Sequence, residues 1–177
     1  MLKFSWQEEL CQTLQYLERE IGRAPRVCVI GTGSEMRGDD IAGLDVARGL
    51  LHCLCEHPDT PFMVIDAGAQ PEDHLNKIRE FDPDFILMVD AADFHAEPGK
   101  VSWVSWETGR GFDATPHTPR TVTFARYLHE EVSCPVALIA IQPERVNYNP
   151  PLSKPVWLAV DQVVHGIEKA VRPIVTA

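Results

Sequence analysis

The sequence predicts an α/β fold in which helices cover both faces of a mostly parallel β-sheet. Along its 177 residues, strand-like apolar runs alternate with helical patterns, and this alternation is typical of α/β domains. The runs at 26–31, 84–90 and 135–141 are almost continuously apolar, as expected for central strands that are covered on both faces. The chain has no evident internal repeat, low-complexity tract or linker, so we expect a single domain.

The first helical pattern covers residues 5–22. It places apolar side chains three or four residues apart and is followed by Gly22 and Pro25, which indicates an amphipathic helix with a defined end. The other predicted elements are strands at 61–66 and 100–106, and helices near 40–54, 72–80, 120–131 and 153–172.

The run at 100–106 is expected to be antiparallel to the central strands. It follows a Pro-Gly turn soon after the run at 84–90, and such a short connection cannot make the crossover that parallel strands require. Two segments rich in proline, 107–119 and 142–155, lack periodicity and are expected to be loops.

The composition limits the class of partner. A net charge of −10 argues against nucleic acids and anionic membranes, because an acidic surface repels both, and it favours cations, neutral molecules or proteins with a basic segment. The five cysteines include no Cys-x-x-Cys pair, and the N-terminus lacks a signal-peptide pattern, so we expect a reduced, cytoplasmic protein without membrane insertion. Cys28 and Cys134 lie in or beside apolar runs and are expected to be buried.

The most informative segment is the glycine-rich turn at 31–40, between the first predicted strand and the following helix. Turns of this kind often bind anions through backbone N–H groups. However, the segment lacks the third glycine of a dinucleotide fingerprint, and Asp39 and Asp40 replace the lysine and hydroxyl of a phosphate loop. Because two carboxylates repel a polyphosphate, nucleotide binding is disfavoured. The alternative role for either aspartate is to cap the helix that follows.

Other acids follow other predicted strands. Asp90 ends the run at 84–90, Asp93 comes three residues later, and Asp66, a weaker candidate, ends the run at 61–66. The carboxyl ends of parallel strands meet at the edge where α/β sheets bind ligands. We therefore expect Asp40 and Asp90 to converge there, the alternative being that Asp90 or Asp93 caps a turn.

One histidine is a candidate ligand for the same site. His117 lies in a loop between Pro116 and Pro119, which lower the entropy cost of ordering that loop. Two carboxylates and an imidazole form an oxygen and nitrogen donor set with open positions, which suits a divalent first-row metal. The alternative is an incidental loop histidine.

Taken in order, these motifs resemble those of the hydrogenase maturation endopeptidases, which trim the C-terminus of the large subunit of nickel–iron hydrogenases. The resemblance covers about residues 26–172. The Asp-Ala-Gly-x-x-Pro-Glu and Ile-Gln-Pro segments are most similar to the branch that serves formate-hydrogenlyase-type and other energy-converting hydrogenases. The matching segments are the Gly-x-Gly-x-x-x-x-Gly-Asp-Asp signature at 31–40, Gly43, 64–72, 86–94, 97–99, the His117 loop and 141–144.

The resemblance implies a three-layer α/β/α sandwich with a five-stranded sheet. It also implies an endopeptidase that removes the C-terminal extension of a nickel-loaded large-subunit precursor. Asp40, Asp90 and His117 would contact nickel that the substrate carries, and no nucleotide would be needed. Two features depart from the family pattern: Ser34 replaces a common asparagine, and residues 1–25 have no counterpart in a typical member. We therefore expect a helical extension over 1–25 and one domain over 26–177.

Two routes of hydrolysis stay open at this point. The substrate's nickel, or water bound to it, acts as Lewis acid or source of the nucleophile, or Asp39 or Asp40 acts as general base. No serine or cysteine has an evident paired base, so an acyl-enzyme route is not expected. The alternative functions are a non-catalytic nickel-binding or precursor-docking chaperone of the same fold and, less favoured, a nucleotide-binding domain.

Overall fold

The elements of the computed structural model follow the alternation that the sequence predicts. The structure describes residues 5–54, 60–105, 120–148 and 151–175. Short 3₁₀ turns, Gly38–Ile41 and Pro71–His74, precede the second and third helices. The elements in chain order are α1 (Trp6–Ile21), β1 (Val27–Thr32), α2 (Ala42–Cys53), β2 (Phe62–Gly68), α3 (Leu75–Phe81), β3 (Phe85–Ala91), β4 (Val101–Ser105), α4 (Arg120–Val132), β5 (Val136–Ile141) and α5 (Lys154–Val175).

The sheet of the described residues has five strands in the order β2-β1-β3-β5-β4. The strands β2, β1, β3 and β5 run parallel to one another, and β4 is antiparallel to β5. The five-stranded, mostly parallel sheet and its antiparallel strand are thus confirmed. Because β4 pairs with β5 rather than β3, the chain that leaves β3 passes across the carboxyl end of β5 before it turns back.

Alternating residues of each strand face opposite layers of helices, which confirms the α/β/α sandwich. One hydrophobic cluster joins α1, α2 and α5 to strand residues such as Val29 and Leu87. The other joins α3 and α4 to the intervening strand residues such as Cys28 and Met88. Central strands that bury both faces explain the nearly continuous apolar runs in the sequence.

Helix α1 packs into the same core as the sheet. Its N-terminus has a capping box between Ser5 and Glu8, and it ends at Gly22 in the left-handed conformation. The side chain of Trp6 lies against Gly166 of α5, where a Cβ atom would be 2.2 Å from the indole ring. The glycine therefore makes room for the tryptophan that anchors this helix.

Two glycines press the N-terminus of α2 onto the sheet. A Cβ atom at Gly31 would lie 2.1 Å from the carbonyl oxygen of Gly43. One at Gly43 would lie 2.2 Å from the carbonyl oxygen of Thr32 and 2.3 Å from that of Val89. This close approach places the turn before α2 beside the carboxyl ends of β1 and β3.

The predictions for the buried cysteines are confirmed. Cys28 and Cys134 are buried, and burial raises the pKa of the Cys134 thiol to about 12, so that this thiol stays protonated. Among the described helices, none is both long and apolar enough to cross a membrane.

Candidate active site

Asp40 lies in the 3₁₀ turn between β1 and α2. Its backbone N–H donates to the carbonyl of Arg37 over 3.2 Å, and its carbonyl accepts the N–H of Ser34 over 3.1 Å. Gly33, with φ of +144°, lies so close that a Cβ atom there would be 1.8 Å from the Asp40 carbonyl oxygen. The backbone of the glycine-rich turn thus holds Asp40 at the sheet edge, as the motif suggests.

The Asp40 side chain is half-buried. Burial raises the pKa of its carboxyl group, and this effect outweighs the opposing attraction of the Arg37 guanidinium. The group therefore accepts a proton more readily than an ordinary surface aspartate.

Asp90 lies at the carboxyl end of β3 and is 9% exposed. Its pKa rises to about 6, chiefly because burial disfavours the charge. The neighbouring Asp40 carboxylate raises the pKa further, whereas hydrogen bonds from the hydroxyl groups of Thr121 and Thr32 oppose the rise. The structure therefore brings the two acids into electrostatic contact.

Of the three predicted metal ligands, the structure describes the two aspartates, Asp40 and Asp90. His117 lies outside the described residues. Within the ranges that the structure describes, no group of three or more His, Cys, Asp or Glu side chains could hold a metal ion. Asp40 and Asp90 thus form a two-carboxylate site, and a third donor stays a prediction.

Asp39 has a different environment from its neighbour. It is completely buried, and its carboxylate accepts the backbone N–H groups of Glu144 (2.8 Å) and Arg145 (3.0 Å). It also accepts the N–H of Ser153 over 2.7 Å and the hydroxyl of the same residue over 2.9 Å. Neither Asp39 nor Asp40 caps α2, which begins without a side-chain cap, so the helix-cap alternative is wrong.

Gln142, which follows β5, orders a turn beside the site, and no sequence pattern indicates this role. Its side-chain carbonyl accepts the N–H groups of Phe94 (2.9 Å) and Ala96 (3.2 Å). Its amide nitrogen donates to Asp93 over 3.1 Å, and Asp93 in turn accepts the N–H of His95 over 3.0 Å. Asp93 therefore caps a turn, which was the alternative role expected for it, and Gln142 orders that turn.

Asp66, the weaker candidate, is held by a cation. Its carboxylate accepts a hydrogen bond from the Nε group of Arg48 over 2.7 Å, and the same guanidinium contacts Glu35. These residues line a cleft of about 390 Å³ that also includes Gly33 and Ala67. The cleft adjoins the turn that carries Asp40, but its acids have a guanidinium partner.

Comparison with known proteins identifies relatives of this chain. A family model described as hydrogenase maturation protease matches residues 51–170. The hydrogenase 3 maturation protease of Escherichia coli K12 is 31% identical over 137 residues, which cover 77% of this chain and 85% of the relative.

Solved structures agree with this match. The crystal structure of a NiFe hydrogenase maturation protease from Thermococcus kodakarensis KOD1 has a TM-score of 0.72 and 26% identity, and the match covers 84% of this chain and 93% of that one. The solution structure of an endopeptidase from Escherichia coli has a TM-score of 0.65 and 29% identity, with 78% and 86% covered.

Proposed function

Because the chain belongs to the hydrogenase maturation protease family, and is therefore a peptidase, we propose that it removes the C-terminal extension of a nickel-loaded hydrogenase large-subunit precursor. The similarity to a protease of hydrogenase 3 supports a precursor of the formate-hydrogenlyase type. The Asp-Ala-Gly-x-x-Pro-Glu segment, in which the cleft residue Asp66 lies, supports the same choice.

The observation that carries the proposal is the Asp40–Asp90 pair. Two carboxylates that raise each other's cost of ionisation are stabilised when a divalent cation lies between them. The pKa of about 6 for Asp90 leaves this group mostly ionised at pH 7, and thus able to bind a metal. Nickel accepts oxygen and nitrogen donors, so the pair suits recognition of nickel that is already bound to the precursor.

The site residues have different roles in the proposed reaction. Asp40 and Asp90, together with His117, contact the substrate's nickel and thereby place the scissile peptide beside them. Of the two adjacent aspartates, Asp40 is the better general base. Its carboxyl group is half-buried with a raised pKa. The Asp39 carboxylate is instead completely buried and accepts hydrogen bonds from four donors, so it is not accessible to a substrate.

The test is cleavage of a nickel-loaded large-subunit precursor by wild type, Asp40→Asn, Asp90→Asn and His117→Ala. We expect the wild type to shorten the precursor, and each variant to do so about a hundredfold more slowly or not at all. The matched control is Asp161→Asn, which makes the same chemical change at an exposed position of α5 and should cleave as the wild type does.

Other outcomes separate the alternatives. Wild-type rates in all three variants would overturn the proposed nickel contacts. Stoichiometric binding of the precursor by wild type without a shortened product would favour the docking chaperone. Equal cleavage of nickel-loaded and nickel-free precursor would overturn recognition of the metal while leaving the peptidase activity in place.

A further inference from the structure

We propose that Asp39 and Gln142 are positioning residues that hold Asp40 and Asp90 in register by clamping one shared segment, an inference that rests on the proposed function. The shared segment, here called the strap, consists of residues 142–148 and 151–153 and leads from β5 towards α5. Glu144, Arg145 and Ser153 of the strap contact the turn that carries Asp40. Gln142, the first residue of the strap, contacts the chain that follows Asp90.

The first clamp joins the strap to Asp40. The Asp39 carboxylate accepts hydrogen bonds from Glu144, Arg145 and Ser153, and the Asp39 N–H donates back to the carbonyl of Arg145 over 3.0 Å. The Asp39 residue is completely buried, so water cannot replace these partners without opening the structure. Since Asp40 is the next residue, any displacement of Asp39 moves the backbone of Asp40.

The second clamp joins the strap to the chain that follows Asp90. The Gln142 residue is 6% exposed, and its side chain bonds to the turn from Asp93 to Ala96. The backbone N–H of Gln142 donates a hydrogen bond to the carbonyl of Lys100, and its carbonyl accepts one from the N–H of Gly99, each over 2.8 Å. The chain that leaves β3 is therefore fixed to the start of the strap at this turn and again at Gly99 and Lys100.

The site needs such a clamp because its two acids repel each other when both are charged. Their mutual interaction therefore drives the two segments apart in the absence of a metal. A displacement of about 1 Å in a reacting constellation commonly lowers the rate about a hundredfold. A rigid bridge between the segments, built from buried polar groups with matched partners, maintains their spacing before the substrate arrives.

The experiment compares Asp39→Asn, Ser153→Ala and Gln142→Leu with wild type on the nickel-loaded precursor. Asparagine has the shape of aspartate but turns an NH₂ group towards N–H donors, so we expect kcat to fall about a hundredfold with KM nearly unchanged. Gln142→Leu should act in the same direction. Ser153→Ala removes one donor and leaves the carboxylate with three, so a smaller loss, about tenfold, is expected, and this variant retains the fold if Asp39→Asn does not.

A readout independent of cleavage is hydrogen exchange of the strap. In Asp39→Asn, the amides of Glu144, Arg145 and Ser153 should exchange faster than in the wild type. The control for general destabilisation is Ile78→Val, which trims a buried side chain of α3 in the opposite cluster. It should lower the melting temperature while kcat stays at the wild-type value.

The outcomes distinguish this inference from the proposed function. If the wild type cleaves and the folded clamp variants retain its kcat, or lose rate only in proportion to their unfolded fraction, the positioning role is overturned and the peptidase stands. Unchanged exchange of the strap amides in Asp39→Asn would overturn the clamp itself. If the wild type shortens no nickel-loaded precursor, both the proposed function and this inference are overturned.

Discussion

The carboxyl edge of the sheet contains two groups of acids with opposite environments. At the ends of β1 and β3, Asp40 and Asp90 lie close to each other, and Asp90 has hydroxyl groups as its partners. At the end of β2, Asp66 is bound by the guanidinium of Arg48, which also contacts Glu35. An acid at a strand end is therefore not in itself a metal site. Among the residues that the structure describes, no cationic side chain is paired with Asp90, and this leaves the Asp40–Asp90 pair suited to an external cation.

The rate of precursor cleavage should show the largest difference between the two groups of acids. Asp90→Asn should lower kcat about a hundredfold or more, because the variant loses the proposed contact to the substrate's nickel and with it about 3 kcal/mol of transition-state stabilisation. Asp66→Asn, the same change in the acid that Arg48 binds, should lower kcat only a few-fold. Steady-state cleavage of the nickel-loaded precursor measures both, and equal losses would remove the distinction between the two groups.

The next effect is on stability and depends on pH. Because folding raises the pKa of Asp90 from 3.8 to about 6, its stabilising contribution is complete below pH 3.8 and is lost as the pH rises through 6. At pH 8 the ionised group therefore costs up to about 3 kcal/mol. Asp90→Asn removes this cost, so the variant should be more stable than wild type at pH 8 and no more stable at pH 4.

Chemical denaturation at the two pH values measures this difference. Asp40→Asn should show a change of the same sign, since burial raises the pKa of Asp40 as well. A stability gain for Asp90→Asn that is equal at pH 4 and pH 8 would contradict the assignment to ionisation. The predicted pair of results, lower activity with higher stability, would indicate that the site retains Asp90 for function at the expense of stability.

The smallest effect concerns the acids around Arg48. The Arg48 side chain is 42% exposed, so solvent screens its ion pairs, and Arg48→Gln should lower the free energy of unfolding by no more than about 1 kcal/mol. The loss should shrink in high salt. The variant should also gain a thermal shift with Ca²⁺, because Glu35, Asp45 and Asp66 then lack their shared cation. No shift with Ca²⁺ would show that these three acids do not bind a cation when Arg48 is removed.

The sequence predicted the fold closely because each element depends on local patterns. Apolar runs that are buried on both faces mark β1, β3 and β5, and the short connection before β4 required an antiparallel strand, as observed. The N-terminal helix could be placed from its periodicity and its terminal glycine. Convergence of Asp40 and Asp90 was also predictable, since both follow parallel strands that are neighbours in the sheet.

The different environments of Asp39 and Asp40 could not be predicted. The two residues are adjacent and chemically identical, so either of them could be the general base as far as the sequence indicates. The partners of Asp39 are 105 to 114 residues away in the chain, and such separations leave no periodic pattern. Gln142 escaped notice for the same reason, because its partners lie 46 to 49 residues before it.

By itself, the sequence determined the α/β sandwich and the edge at which the acids meet, because burial patterns and glycine spacing act over a few residues. Only the tertiary structure decided which of the two adjacent aspartates is half-buried beside Asp90 and which is completely buried, and which strand-end acid is bound by an arginine. Those outcomes depend on hydrogen bonds and ion pairs between segments that are distant in the chain, and these form only when the sheet and its helices are assembled.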